Sequence, residues 1–175
     1  VKDRGAILPG GHTANASYWM DDSNAVFMSS DFYMKELPEW VKNFNDRKLA
    51  RAYLDKNWNT LYPLNTYVES TSDQNGYEGK FSGEVNTTFP HKTSQLSLND
   101  IKRTPYGNDI VFDFTKEALI NEKLGKGEET DFLAVSFSST DYIGHAFGPN
   151  SIEIEDTYLR MDHTIAALID LLNTE

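Results

Sequence analysis

The order of elements written into the last third of the chain limits the fold more than any other feature. Residues 113–125, DFTKEALINEKLG, read as a helix. Thr115 is a candidate N-cap, Ala118, Leu119 and Leu124 can share an inward face, and Gly125 follows the periodic run. Residues 130–140, TDFLAVSFSST, then read as a central strand. Its Phe132, Leu133, Ala134 and Val135 are apolar on both faces, as in parallel strands covered by helices. A loop punctuated by glycine and proline leads to a final helix. There Asn150 and Glu153 form a candidate capping pair, and Ile154, Tyr158, Met161, Ile165, Leu168 and Leu172 form an apolar stripe. Helix, strand, loop and helix in that order define an α/β fold, in which chemistry gathers beyond the carboxyl ends of the strands.

The opening residues fit the same class. VKDRGAILPGG reads as a short strand entering a glycine-rich turn, and NAVFMSSDFYM, residues 24–34, as a second strand. Pro38 starts a helix in which Trp40, Val41, Phe44 and Leu49 recur at helical intervals. From about residue 57 to 108 the periodicity stops, and Asn, Thr, Ser, Gly and aromatic residues dominate. That is more chain than a connection needs, so it reads as an inserted, cap-like region of irregular or β structure over one face of the core. The expected division is a core segment over 1–56, the inserted region over 57–108 and a second core segment over 109–175.

Composition narrows the function. A chain of 175 residues with 39% hydrophobic and 25% charged residues can bury a core as one soluble domain, or one and a fraction. No apolar run approaches the ~18 residues of a membrane span. The first residue is Val1, and no basic, apolar leader opens the sequence, which reads as a processed or excised piece. A net charge of -11 repels phosphate backbones. The longest basic cluster, NDRKLAR at 45–51, reads as a solvated helix face, so no nucleic-acid partner is expected. Without cysteine there is no disulfide, thiolate metal site or cysteine nucleophile.

The chemistry concentrates in SFSSTDYIGHAFGPNS, residues 136–151. Asp141 and His145 stand four apart just after the expected strand. A carboxylate oxygen and a neutral imidazole nitrogen together suit Zn²⁺ and similar divalent ions, and one turn of backbone can aim both at one point. On spacing alone, a capping aspartate and a surface histidine in a polar loop are the better reading of the pair, because a two-residue ligand pattern is weak evidence.

The wider wording favours the metal. DFLAVSFSSTDYIGHAFGPNSIEIEDTYLRMD resembles the metal-binding segment of the alkaline phosphatase superfamily, in the type I phosphodiesterase/nucleotide pyrophosphatase-like branch that includes bacterial zinc alkaline phosphatases of the Bacteroidetes type. The resemblance implies a three-layer α/β/α core with a mostly parallel sheet, and Asp141 and His145 as two ligands of one zinc in a two-zinc centre. KDRGAILPGGHTANASYWMD in turn resembles the segment whose Lys-x-Arg pair contacts the substrate phosphate, which implies that role for Lys2 and Arg4. On a strand, alternation would put both side chains on one face. One ammonium and one guanidinium fork then suit a dianionic phosphoryl group.

The resemblance further implies a zinc-activated threonine or serine nucleophile, a covalent phospho-enzyme and a second set of metal ligands. In the family these lie in segments that this sequence does not contain. The expectation is therefore a fragment of a periplasmic or secreted zinc-dependent phosphatase. Its parent hydrolyses small-molecule phosphate monoesters, and the fragment, with no nucleophile of its own, is inactive without the remainder of the parent chain. A phosphodiesterase or nucleotide pyrophosphatase on the same scaffold is one alternative. A noncatalytic carbohydrate- or protein-binding module built on the Asn- and aromatic-rich middle is another.

Several residues imitate site residues. Ser139 and Thr140 read as strand-end polar groups, not as the nucleophile. Asp162-His163 lacks a following glycine, and adjacent helical positions point about 100° apart, so the two would struggle to share an ion. His12 lies either near the phosphate pocket or in a loop that it braces, and His91 has no partner identifiable from sequence. Tyr18, Trp19, Trp40, Trp58 and Tyr62 read as packing residues.

Overall fold

Residues 2–174 are described in the computed structural model. In chain order the helices are α1 (Asp3–Gly10), α2 (Glu39–Asp46), α3 (Leu49–Leu54), α4 (Tyr106–Asn121), α5 (Ser139–Phe147) and α6 (Ile152–Thr174). Two 3₁₀ turns, Leu64–Thr66 and Leu98–Arg103, interrupt the long stretch between α3 and α4. Among the described residues the only sheet is a two-stranded antiparallel one. It pairs β1 (Trp19–Met20) with β2 (Phe27–Met28), Trp19 opposite Met28.

The expected parallel sheet does not form among these residues, and the expected strands need correction. The first segment is helical from Asp3. Asp3 sits in the first turn, where a carboxylate complements the helix dipole, and its Oδ1 accepts the Arg4 N–H at 2.6 Å. Gly11 ends the helix at φ +55°, a conformation that suits glycine, and its N–H donates to Ile7 O at 2.8 Å. The glycine and proline that read as a turn after a strand are thus the end of a helix. Residues 131–137 form neither helix nor ladder, and Phe132 stands 87% exposed. Val135 and Phe137 alone of their apolar set pack against the core.

Helical boundaries also moved. The helix beginning after Pro38 breaks at Lys48, which takes a left-handed φ of +49°, giving α2 and α3 in place of one element. Thr115 is no N-cap. It lies inside α4, buried, with Oγ1 donating to Val111 O one turn back. Only the first part of the α6 stripe is covered: Ile154 is buried, while Tyr158 is 61% exposed and Ile165 and Leu172 are also open.

Two aromatic nodes hold the molecule. Phe114 of α4 stacks on Phe27 of β2 at 3.9 Å, and the rings of Phe44, Trp40 and Tyr18 surround it. Asn45 of α2 closes this node by pairing both ends of its amide with the Phe27 backbone at 2.8 Å, which also satisfies the open edge of β2. The second node gathers Trp58, Phe81, Phe89, His91 and Phe147 where the irregular middle stretch meets α5 and α6.

The first turns of α6 bind that stretch through carboxylates. Asp156, fully buried, accepts from Trp58 Nε1 at 2.8 Å, Leu61 N at 2.6 Å, Tyr67 OH at 2.6 Å and Arg160 Nε at 2.6 Å. Glu153 takes His91 Nε2 at 3.0 Å, and Glu155 takes the Ser70 hydroxyl. Irregular chain is otherwise poor at satisfying its own polar groups, and these acids supply the missing acceptors.

Candidate metal and phosphate site

Helix α5 begins where other pieces of chain grip it. Its N-cap residue, Ser138, makes no capping hydrogen bond with its own side chain. The Ser139 N–H donates to Asn108 Oδ1 of α4 at 3.1 Å, and Asn108 Nδ2 donates to Thr140 Oγ1 at 3.2 Å. Gly107 permits so close an approach, since a Cβ there would lie 2.1 Å from Ser139 Oγ and 2.9 Å from Ile101 O. At the far end Gly148, with φ +98°, stops the helix, and the Gly79 N–H donates to Ala146 O at 2.7 Å.

The helix presents Asp141 and His145 one turn apart. His145 Nε2 lies 3.6 Å from Asp141 Oδ1, and the side chains are 80% and 49% exposed, respectively. Their setting is thus helical, where the sequence suggested a loop after a strand. Lys2 arrives from the other end of the chain and pairs with Asp141 Oδ2. That hydrogen bond holds the Asp141 carboxyl below the ordinary carboxylate range, and the charges of Lys2, His145 and Arg4 act in the same direction. Lys2 Nζ also lies 4.6 Å from the centroid of the Tyr142 ring, which Lys102 Nζ approaches to 5.1 Å while pairing with Asp22 at 2.8 Å.

Lys2 and Arg4 come together by a different route from strand alternation. Lys2 is the extended N-cap of α1 and Arg4 its second helical residue, so both cations stand at the positive end of the helix dipole. That placement costs about 0.3–1 kcal/mol per charge at an exposed helix end, and only an anion at the same place offsets it. Gly5 brings the helix up to the segment that leads into α5. A Cβ there would meet Ser136 Oγ at 2.7 Å and Ser138 Oγ at 3.3 Å.

Lys2, Asp141 and His145 therefore share one surface, with Arg4 exposed in the first turn of α1. His12 is exposed at the opposite end of α1, its ring 5.6 Å from that of Phe32. His163 stands on α6 with Nε2 2.9 Å from Tyr62 OH, away from this surface. The grips on α5 from Asn108 and Gly107, and the close approach at Gly5, were not legible in advance. The one available signal was a Gly-Asn pair at 107–108 opening a stretch of helical periodicity.

Asp141 and His145 supply oxygen and nitrogen donors of the kind zinc accepts, on freely accessible side chains. A zinc ion takes about four ligands, and among the described residues no group of three or more His, Cys, Asp or Glu side chains is placed to hold an ion. The pair fits as part of a metal centre and is too few to be a whole one.

Comparison with known proteins extends the geometry. A family described as type I phosphodiesterase / nucleotide pyrophosphatase matches residues 3–175. Alkaline phosphatase PhoV of Synechococcus elongatus is 51% identical over 176 residues, covering 99% of this chain and 32% of its own length. A Myroides odoratus protein named a calcium-transporting ATPase is 52% identical over 179 residues, covering 99% and 33%. The crystal structure of wild-type alkaline phosphatase PafA superposes with a TM-score of 0.92 at 40% identity, over 99% of this chain and 34% of that one. A PafA variant in which a threonine, an asparagine, a lysine and an arginine are replaced superposes with a TM-score of 0.94. The chain thus spans about a third of the length of the relatives it matches.

Proposed function

Since the chain belongs to the type I phosphodiesterase / nucleotide pyrophosphatase family, we propose that it is the phosphate-contacting and part of the metal-binding portion of a zinc-dependent phosphatase acting on small phosphate monoesters. The observation that carries the reading is the convergence of Lys2 on Asp141, one helical turn from His145, across 139 positions of sequence. Lys2 and Arg4, gathered at the positive end of α1 next to a carboxylate–imidazole pair, suit a phosphoryl dianion and a metal in addition to the Asp141 and Asp3 carboxylates already beside them. The PafA variant in which a lysine and an arginine are replaced supports attention to those residue types.

In this reading Asp141 and His145 are two ligands of one zinc, the others coming from the remainder of the parent chain. Zinc, when bound, polarises the phosphoryl oxygens and lowers the pKa of an attacking oxygen. Lys2 and Arg4 neutralise and orient the phosphoryl oxygens, Arg4 with a fork of N–H donors and Lys2 as a point charge steadied over Tyr142. The threonine or serine that would form the phospho-enzyme lies in the rest of the parent, so this stretch alone is inactive. The remainder would also complete a three-layer core by pairing with residues 131–137, and residues 57–108 would form the cap over it. A periplasmic or secreted location suits such an enzyme. No described helix is long and apolar enough to cross a membrane.

The test uses the full-length protein that contains this chain. Lys2→Ala should lower kcat/KM for an aryl phosphate by about 10²–10³-fold, the loss typical of one charge-stabilising donor. An aryl phosphodiester, carrying one charge less, should suffer less. Equal losses on both would favour the phosphodiesterase alternative, and full activity of Asp141→Ala on both would refute the assignment.

A further inference from the structure

Helix α5 carries both proposed metal ligands, yet neither is anchored by its own helix. The first turn of α5 is instead held from α4. Asn108 is 3% exposed, and both ends of its amide are used on consecutive residues, Oδ1 on the Ser139 N–H and Nδ2 on the Thr140 hydroxyl. Asp141 is the next residue, and His145 follows one turn on the same face. An uncapped helix start frays, because its first N–H groups lack intrahelical acceptors, and Ser138 offers no cap of its own. Asn108 performs that capping from outside, which also fixes α5 against rotation about its axis. The buried Ile143 and Phe147 hold the later turns of the helix against the core, and Asn108 ties down its first turn.

We propose that Asn108 is a positioning residue for the Asp141–His145 pair: it sets the rotational register of α5, with Gly107 providing the closeness that its short side chain requires. Any bulkier residue at 107 would meet Ser139 and the Ile101 carbonyl, so the α4 start and the α5 start can be this near only as a Gly-Asn unit. The inference rests on the metal reading above for what the register is for, and on the hydrogen bonds alone for the register itself.

The experiment compares Asn108→Leu, Thr140→Val, Thr140→Ser and the Asn108→Leu/Thr140→Val double variant in the full-length protein. The readouts are amide hydrogen exchange over residues 139–145 and Zn²⁺ affinity by competition with a chromophoric chelator. Asn108→Leu and Thr140→Val should each speed exchange and weaken zinc binding, by about tenfold for Asn108→Leu, the lower end of what outer-shell partners contribute. The double variant should be little worse than Asn108→Leu, since the two changes break one shared contact. Thr140→Ser, which keeps the hydroxyl, should behave as wild type.

Wild-type exchange and zinc affinity in Asn108→Leu would overturn the proposal, as would faster exchange with zinc affinity unchanged. Should Asn108→Leu fail to fold, Thr140→Val at its half-buried hydroxyl decides by the same criteria. An Asp141→Ala control that binds zinc as wild type does would bring down the metal reading, and this proposal with it, whatever the exchange shows.

Discussion

Two histidines show opposite uses of one side chain. His145 stands 80% exposed on α5, 3.6 Å from the Asp141 carboxylate. His91 is 0% exposed, its Nδ1 2.9 Å from Glu84 and its Nε2 3.0 Å from Glu153, ringed by Trp58, Phe81, Phe89 and Phe147. The first has lone pairs to offer a ligand, while the second has committed both nitrogens to the fold. Burial and saturation of hydrogen bonds therefore separate structural from chemical histidines here better than sequence context does, because context left His91 without a partner.

The comparison breaks most visibly at His91. His91→Ala leaves the buried Glu153 and the partly buried Glu84 without their shared cation, and the urea midpoint should fall by the equivalent of about 3–5 kcal/mol. Asp141→Asn, at the exposed pair, should stay within about 0.5 kcal/mol of wild type. Similar losses for both would erase the distinction.

A pH titration of stability sharpens the same contrast. Burial works against a charged His91, but its hydrogen bonds to the Glu153 and Glu84 carboxylates outweigh it and raise its pKa to about 9. A folded-state value above the unfolded one near 6.5 means that the folded protein binds this proton more tightly. The stabilisation is then complete below about pH 6.5 and is lost as pH rises through about 9. Urea midpoints between pH 6 and 10 should decline for wild type and decline less for His91→Ala.

A smaller effect than at His91 is expected at Gly5. A methyl group there meets Ser136, so Gly5→Ala should tilt α1 and raise KM for an aryl phosphate by about tenfold, or about 1.4 kcal/mol. Ser136→Gly, by clearing the obstacle, should restore KM in the double variant. Failure of that rescue would mean that the α1 contact does not aim Lys2.

Much of the framework could be read from the chain. The periodic stretches that became α4 and α6 were legible as helices, because helical spacing survives whatever packs on top. Segment 3–10 was not, since Pro9, Gly10 and Gly11 end a helix as readily as they end a strand, and the sequence does not say which precedes them. Residues 131–137 have the composition of a buried strand, but a strand is defined by a neighbour, and no strand lies beside them among the described residues. Asp141 and His145 were visible as a pair because local spacing carries that information. Asn108 and Glu153 were invisible because their partners lie 31 and 62 positions away and obey no local rule.

The carboxylates of α6 have a consequence for how this region can change over time. Asp156, Glu153 and Glu155 fasten the middle stretch at Trp58, Leu61, Tyr67, Ser70 and His91, cutting one long excursion into short spans with fixed ends. Lengthening any one span then costs little, because closure entropy grows only with the logarithm of loop length. The strip from residue 72 to 90, which already exposes Tyr77 and Val85, lies between two such fastenings. Gly79 and Phe81 pin its middle to α5, so the exposed positions on either side of them are where a lineage could redecorate the surface while the helix bearing Asp141 and His145 stays where it is.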